Sequence, residues 1–73
     1  MMNDATIKYL VARIVDSARE AIKEARENEG DAFYKGHNLA YYEVLSLLKN
    51  ELSARDENLK EYGLNINLEK AFF

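Results

Sequence analysis

The feature that most constrains this 73-residue chain is an uninterrupted helical pattern over residues 33–52, FYKGHNLAYYEVLSLLKNEL. At 100° per residue, the apolar side chains of this stretch span an arc of roughly 180°. A helix that rests on a single neighbouring helix needs only a narrower apolar stripe. The sequence therefore predicts that this helix packs against more than one partner.

The broad apolar face divides into two interleaved seams, each with the alternating three- and four-residue spacing of knobs-into-holes packing. The first seam consists of Phe33, His37, Ala40, Val44 and Leu47. The second seam consists of Tyr41, Leu45, Leu48 and Leu52. We expect one seam to face the other helix of the same chain and one to face a second molecule. The residues predicted for the core and the dimer interface are Phe33, His37, Ala40, Tyr41, Val44, Leu45, Leu48 and Leu52.

Another amphipathic helix is predicted upstream, over about residues 4–28, with Asn3 or Asp4 at its N-terminal cap. Its apolar stripe consists of Ile7, Leu10, Val11, Ile14, Ala18, Ala21, Ile22 and Ala25. Residues 28–31, NEGD, combine a glycine suited to ending this helix with an aspartate suited to capping the next, predicted over about 31–55. So short a connection makes the two helices antiparallel neighbours.

The remaining residues are predicted to form a short turn or helix over 56–62 and an extended arm over 63–73. The arm alternates asparagines with apolar residues, which are Leu64, Ile66 and Leu68. A lone strand has no partner strand here, so we expect the arm to lie on the helices. It would cover Leu39 and Tyr42, which lie off the main stripes. If it lies elsewhere, these two residues form a second contact patch for another partner.

Composition leaves self-association as the means of stabilising so small a domain, because 73 residues are near the size at which one core is marginal. The chain has no cysteine, which excludes disulfides and thiolate metal sites, and its single histidine disfavours a zinc site within one chain. We predict a single all-α domain over residues 1–73, an antiparallel helical hairpin that dimerises into a four-helix bundle. We predict no cofactor and no metal.

Charge and hydropathy patterns disfavour two further classes of partner. The formal net charge is −3 and the basic residues are scattered, whereas binding to a duplex needs a basic stripe. An apolar run of about 18 residues, as a membrane span requires, is missing from the sequence. The first twenty residues carry charges where a signal peptide needs its apolar centre, so we expect a cytoplasmic protein.

Three positions allow a more specific interpretation. His37 could be a pH-sensitive contact or a metal ligand shared between chains, but a histidine bonded to a carbonyl, tyrosine or water at the edge of the face is favoured. Glu51 and Arg55 either set the register of a dimer or mark where the apolar face meets solvent, and we favour the second. Gly36 costs about 1 kcal/mol in a helix relative to alanine, for which close packing of the opposing helix is the predicted reason. The alternative is weak local structure after a late start of the helix.

Two segments resemble a known group of proteins. They are FYxGxxxAYYEVL over residues 33–45 and LKEYGLNINLE over residues 59–69. Together they resemble small proteins encoded on bacterial conjugative transposons and prophages, including those described as transposon-encoded protein TnpW. The resemblance implies a mobile-element context and a short helical protein, and it brings no catalytic residues.

These observations predict a non-enzymatic protein-protein interaction module that acts as a homodimer, as an accessory or regulatory protein of a mobile genetic element. A second, unidentified protein partner is compatible with this prediction. The alternative is a regulator that binds nucleic acid as a dimer. In that case the symmetry of the dimer would gather basic residues on one surface, namely Lys35, Lys49, Arg55 and Lys60.

Overall fold

The computed structural model describes residues 3–73, so the first two residues of the predicted domain lie outside the described part. Its elements are α1 (Asp4–Glu27), α2 (Ala32–Ala54), a 3₁₀ turn (Leu59–Tyr62) and α3 (Leu68–Phe72). The two long helices pack against each other, and residues 3–73 contain no strand. The prediction of an all-α fold built on two long, packed helices is confirmed.

Local capping sets the ends of the long helices. The Asn3 side chain accepts a hydrogen bond from the Thr6 backbone N–H at 2.8 Å, which begins α1. Asp31 accepts from the Phe33 N–H at 2.9 Å and begins α2. Between them Gly30 has a φ of 87°, a left-handed conformation that favours glycine. The chain therefore reverses within residues 28–31, and the two helices run antiparallel.

The C-terminal segment, residues 57–73, supplies half of the buried core cluster. That cluster consists of Val11, Val15, Ala18, Leu45, Tyr62, Leu64, Leu68 and Phe72. The last four of these belong to the C-terminal segment. Leu45 and Leu64 are the largest fully buried side chains in the described residues. The hairpin therefore forms only part of its core without this segment.

The prediction of an extended arm over residues 63–73 is wrong in its second half, where α3 forms. The Asn67 side chain accepts from the Lys70 backbone N–H at 3.1 Å and caps α3. Leu64, Leu68 and Phe72 follow at intervals of four residues, and all three are buried. An extended backbone would leave its polar groups without a partner strand, whereas the asparagine cap and a helical turn satisfy several of them locally.

Two side chains of α1 hold the C-terminal segment. The Lys8 ammonium lies 3.5 Å from the Glu61 carboxylate, and the Arg26 guanidinium donates to the Ala71 carbonyl oxygen at 3.2 Å. Lys8 and Arg26 are 18 residues apart, which is five full helical turns, so they lie on the same edge of α1.

Three side chains of α2 hold the segment from the other side. They donate hydrogen bonds as follows: Asn38 to the Phe72 carbonyl, Tyr42 to the Glu69 carboxylate and Lys49 to the Ile66 carbonyl. The segment thus bridges both long helices along one side of the hairpin. We call this side the arm edge.

Leu64 of the C-terminal segment lies in the core, so shortening its side chain should destabilise the fold. Leu64→Ala should lower the free energy of unfolding by about 2–5 kcal/mol, because it leaves a cavity in the core. Leu39→Ala, at a position that is 45% exposed, should change it by about 0.5 kcal/mol or less. Denaturant unfolding of both variants measures the difference. Equal effects would show that the segment is not docked in solution.

Tyr62 predicts a change of stability at high pH. Its hydroxyl donates to the Glu57 carboxylate at 2.7 Å, and this hydrogen bond, followed by burial, raises the pKa of Tyr62 to about 12. In the unfolded chain the Tyr62 hydroxyl ionises near pH 10. The stability that this residue contributes should therefore be lost as the pH rises from about 10 to 12. The phenolate absorbance of the wild type and of Tyr62→Phe should be measured as the pH is raised. The two titration curves should differ by one tyrosine that ionises at a higher pH than an ordinary tyrosine. A difference that titrates at the ordinary pKa would contradict this assignment.

Candidate functional site

The structure separates the two seams of α2. The second seam lies in or against the core, and its Leu45 is 1% exposed. Every residue of the first seam is exposed, with Phe33 at 68%, Val44 at 43% and Leu47 at 61%. The predicted set of core and interface residues therefore divides into two groups. The core side comprises Tyr41, Leu45, Leu48 and Leu52, and the exposed side comprises Phe33, His37, Ala40 and Val44.

Most of the exposed apolar residues of both long helices lie away from the arm edge, and the exception on α2 is Leu39, which lies beside Phe72 and Phe73. Around α2, Phe33 and Val44 are separated by about 120–180° from the three side chains that hold the C-terminal segment. Around α1, the exposed Ile7 and Leu10 are separated by about 100–160° from Lys8 and Arg26. These residues therefore share one side of the hairpin. We call the first seam together with Ile7 and Leu10 the open face.

Ile7 and Leu10 were expected in the apolar stripe that packs inside the chain, but both are exposed. On a helical wheel Leu10 lies at one rim of the predicted stripe, about 60° from its centre, which is a signal for its exposure. Ile7 lies at the centre of the stripe, so its exposure has no such signal in the sequence. The predicted stripe also omitted Val15, which is buried. Leu47 belongs to the first seam, but the predicted interface set omitted it.

Aromatic contacts order the loop end of the open face. The His37 ring stacks on Tyr41, with ring centroids 5.3 Å apart and an interplanar angle of 16°. Phe33 makes T-shaped contacts with His37 and with Tyr34, with ring centroids 5.9 and 5.2 Å apart. Rings that already contact one another lose less conformational freedom when a partner covers them. This end of the face is therefore partly ordered within the single chain.

His37 shows none of the surroundings of a metal ligand within its own chain. Among residues 3–73, no three His, Cys, Asp or Glu side chains come close enough to share an ion. Its ring contacts are with Phe33 and Tyr41. In this structure His37 contributes an aromatic surface to the open face.

Gly36 and the Glu51–Arg55 pair both lie at the surface of α2. A Cβ built on Gly36 would meet nothing within 4 Å, so the predicted close packing of the opposing helix is wrong within this chain. The Arg55 guanidinium lies 2.6 Å from the Glu51 carboxylate, and both side chains are exposed. The pair thus lies where the apolar surface of α2 meets solvent.

The second predicted patch is divided by the C-terminal segment. Tyr42 is covered, since its ring meets Phe72 and Phe73 edge-on with centroids 5.7 and 5.0 Å apart. Leu39 stays 45% exposed. It borders an open groove of about 550 Å³ with Ala32, Lys35, Gly36, Asn38, Phe72 and Phe73.

The titratable groups with shifted pKa values serve the fold. Tyr62 bonds to Glu57 within the C-terminal segment. A hydrogen bond from its own backbone N–H, followed by the bond from Tyr42, lowers the pKa of the Glu69 carboxyl. Neither group lines the groove beside Leu39.

None of the helices in residues 3–73 is both long and apolar enough to cross a membrane.

Comparison with family models, curated proteins and solved structures finds no match for this chain. The resemblance to TnpW-type proteins stays a prediction.

Glutamate substitutions at the adjacent residues Val44 and Leu45 test whether the first seam is exposed and the second seam is buried. Leu45→Glu should unfold the chain, because the carboxylate would enter the core without a partner. Val44→Glu should keep the helical circular dichroism of the wild type, because its side chain meets solvent and glutamate favours a helix. Loss of helix in both variants would show that Val44 is buried within the chain.

Proposed function

We propose that this chain is a non-enzymatic protein-interaction module that forms a homodimer through the open face. The observation that supports the proposal is the exposure of the whole first seam on a helix whose second seam packs inside the chain. A small protein seldom leaves a continuous apolar face of this kind uncovered unless it binds another molecule.

The dimensions of the molecule suit this proposal. A stable interface takes about 800 Å² from each partner, which is about 15% of the 5357 Å² surface of the described chain. The molecule measures 40 by 20 by 16 Å. One of its broader sides is therefore large enough to supply an interface of standard size.

The apolar side chains supply the driving force for pairing. Burying a large apolar side chain completely contributes about 1.5–3 kcal/mol. Phe33 and Leu47 each have more than half of their surface still to bury, and Val44 has somewhat less than half. A two-fold dimer uses every such residue twice. Pairing of two hairpins would also enlarge a core that is small for one 73-residue domain.

The biological setting is proposed from the resemblance to TnpW-type proteins alone. It suggests an accessory or regulatory protein of a mobile genetic element. A cytoplasmic location is proposed separately, from the charges within the first twenty residues. A homodimer could fulfil such a role by presenting two identical surfaces to a further protein partner. The Leu39 groove is one surface that pairing through the open face would leave accessible.

Nucleic-acid binding by the dimer has weaker support. Of the four basic residues that such a surface would use, Lys49 donates to the Ile66 carbonyl and Arg55 pairs with Glu51. The Glu51 carboxylate offsets the charge of Arg55, and the hydrogen bond holds the Lys49 ammonium at the arm edge, so fewer basic groups can gather on one surface for phosphates. We therefore keep homodimeric protein interaction as the proposed function.

Two variants with matched exposure test the homodimer. Val44→Glu should convert the wild-type dimer into a monomer, because each partner would place a carboxylate in the apolar seam. Leu39→Glu should leave the dimer intact, because Leu39 has nearly the same exposure but lies outside the open face. Sedimentation equilibrium of the three proteins measures the masses. A monomeric wild type at high concentration, or a dimer that survives Val44→Glu, would contradict the proposal.

A further inference from the structure

We infer that the two copies pair with their hairpin loops at opposite ends, so that the two α2 helices cross antiparallel at Ala40. This inference rests on the proposed homodimer and gives it a geometry. In this arrangement Phe33 of each copy packs against Leu47 and Leu10 of the partner subunit.

The length of the first seam favours a dimer in which the α2 helices of the two copies pack against each other. The seam runs along most of α2, from Phe33 near the loop to Leu47. The exposed apolar residues that α1 adds to the open face, Ile7 and Leu10, both lie at its N-terminal end. If α2 faced α1 of the second copy, half of the seam would therefore meet a surface without large apolar side chains. Only another first seam matches it along its length.

The spacing of the seam favours an antiparallel crossing. Phe33 and Leu47 each lie seven residues from Ala40, so a two-fold axis across α2 at Ala40 pairs each Phe33 with the Leu47 of the partner subunit. Ala40 is the smallest residue of the seam, and Gly36 lies one turn away with nothing within 4 Å of its Cβ position. Small residues at the crossing allow close approach, and bulky residues fill the gap where the helices diverge.

The charges at the ends of α2 favour the same direction. Glu51 continues the first seam, eleven residues beyond Ala40. In an antiparallel crossing this carboxylate, which is paired with Arg55, lies at the opposite end of the interface from its copy in the partner subunit. A parallel crossing would place the two Glu51 carboxylates opposite each other. It would also align the two helix dipoles unfavourably.

Leu10 adds to this contact because of the antiparallel hairpin. Since the chain reverses at residues 28–31, the start of α1 lies beside the end of α2. Leu10 therefore lies at about the same level as Leu47. A Phe33 side chain that arrives from the partner subunit would be covered by both leucines, which accounts for the exposure of Leu10 in the single chain.

A distance between spin labels tests the orientation. The described chain contains no cysteine, so Glu29→Cys gives one label in the loop, outside the open face. Glu29 is eleven residues from Ala40, and the antiparallel dimer should place its two labels about 33 Å apart at 1.5 Å per residue. Ser53→Cys, thirteen residues to the other side, should give about 39 Å.

The possible outcomes separate this inference from the proposed homodimer. Pulsed dipolar spectroscopy showing both long distances, each lost with Val44→Glu, would support the antiparallel crossing. A separation below about 20 Å for Glu29→Cys would indicate loops at the same end and would overturn the orientation while keeping the dimer. Absence of dipolar coupling at concentrations where sedimentation shows a monomer would overturn both.

Discussion

The packing of Leu64, Leu68 and Phe72 along one edge of the hairpin is the contact on which the rest of this structure depends. With Tyr62, these residues form half of the buried core cluster. Two helices alone meet along a line and bury little, so the third layer supplied by the C-terminal segment is what encloses the core. Because this segment bridges both helices on one side, it also determines which side stays open.

The open face stays exposed because the C-terminal segment covers only the arm edge of the hairpin. The second seam of α2 is used by the core and its arm edge by the C-terminal segment, so the first seam has no partner left within the described chain. Polar contacts reinforce the arrangement, since Tyr42 and Lys49 of α2 and Arg26 of α1 all bond to the segment. The function proposed for this protein is accordingly one of surface rather than of reactive groups.

The two long helices could be predicted from the sequence because their signals are local. Asn3, Asp31 and Gly30 mark the ends, and the apolar period marks the lengths. The sequence also defined the two seams of α2. It could not decide which seam faces α1, because both have the same spacing and similar apolar character. That decision depends on where the C-terminal segment lies, which is a tertiary property.

The errors of the sequence reading have equally specific causes. Leu64, Ile66 and Leu68 alternate like a strand, but the Asn67 cap begins a helix that no alternating pattern reveals. Ile7 looked like a core residue because position in a stripe does not show how far the neighbouring helix extends over it. Gly36 looked like a packing residue, and no contact within the chain explains it. The candidate site was therefore predictable as a helix face, and its extent was not.

The central claim is that the C-terminal segment covers one edge of the hairpin and leaves the other side for a second copy. Methyl NMR spectra recorded over a dilution series test this claim most directly. The account predicts that the signals of Val44, Leu47 and Leu10 shift with concentration, whereas those of Leu45 and Leu64 stay unchanged. Spectra that are independent of concentration in a monomeric protein would contradict the account. So would shifts confined to methyl groups beside the arm edge.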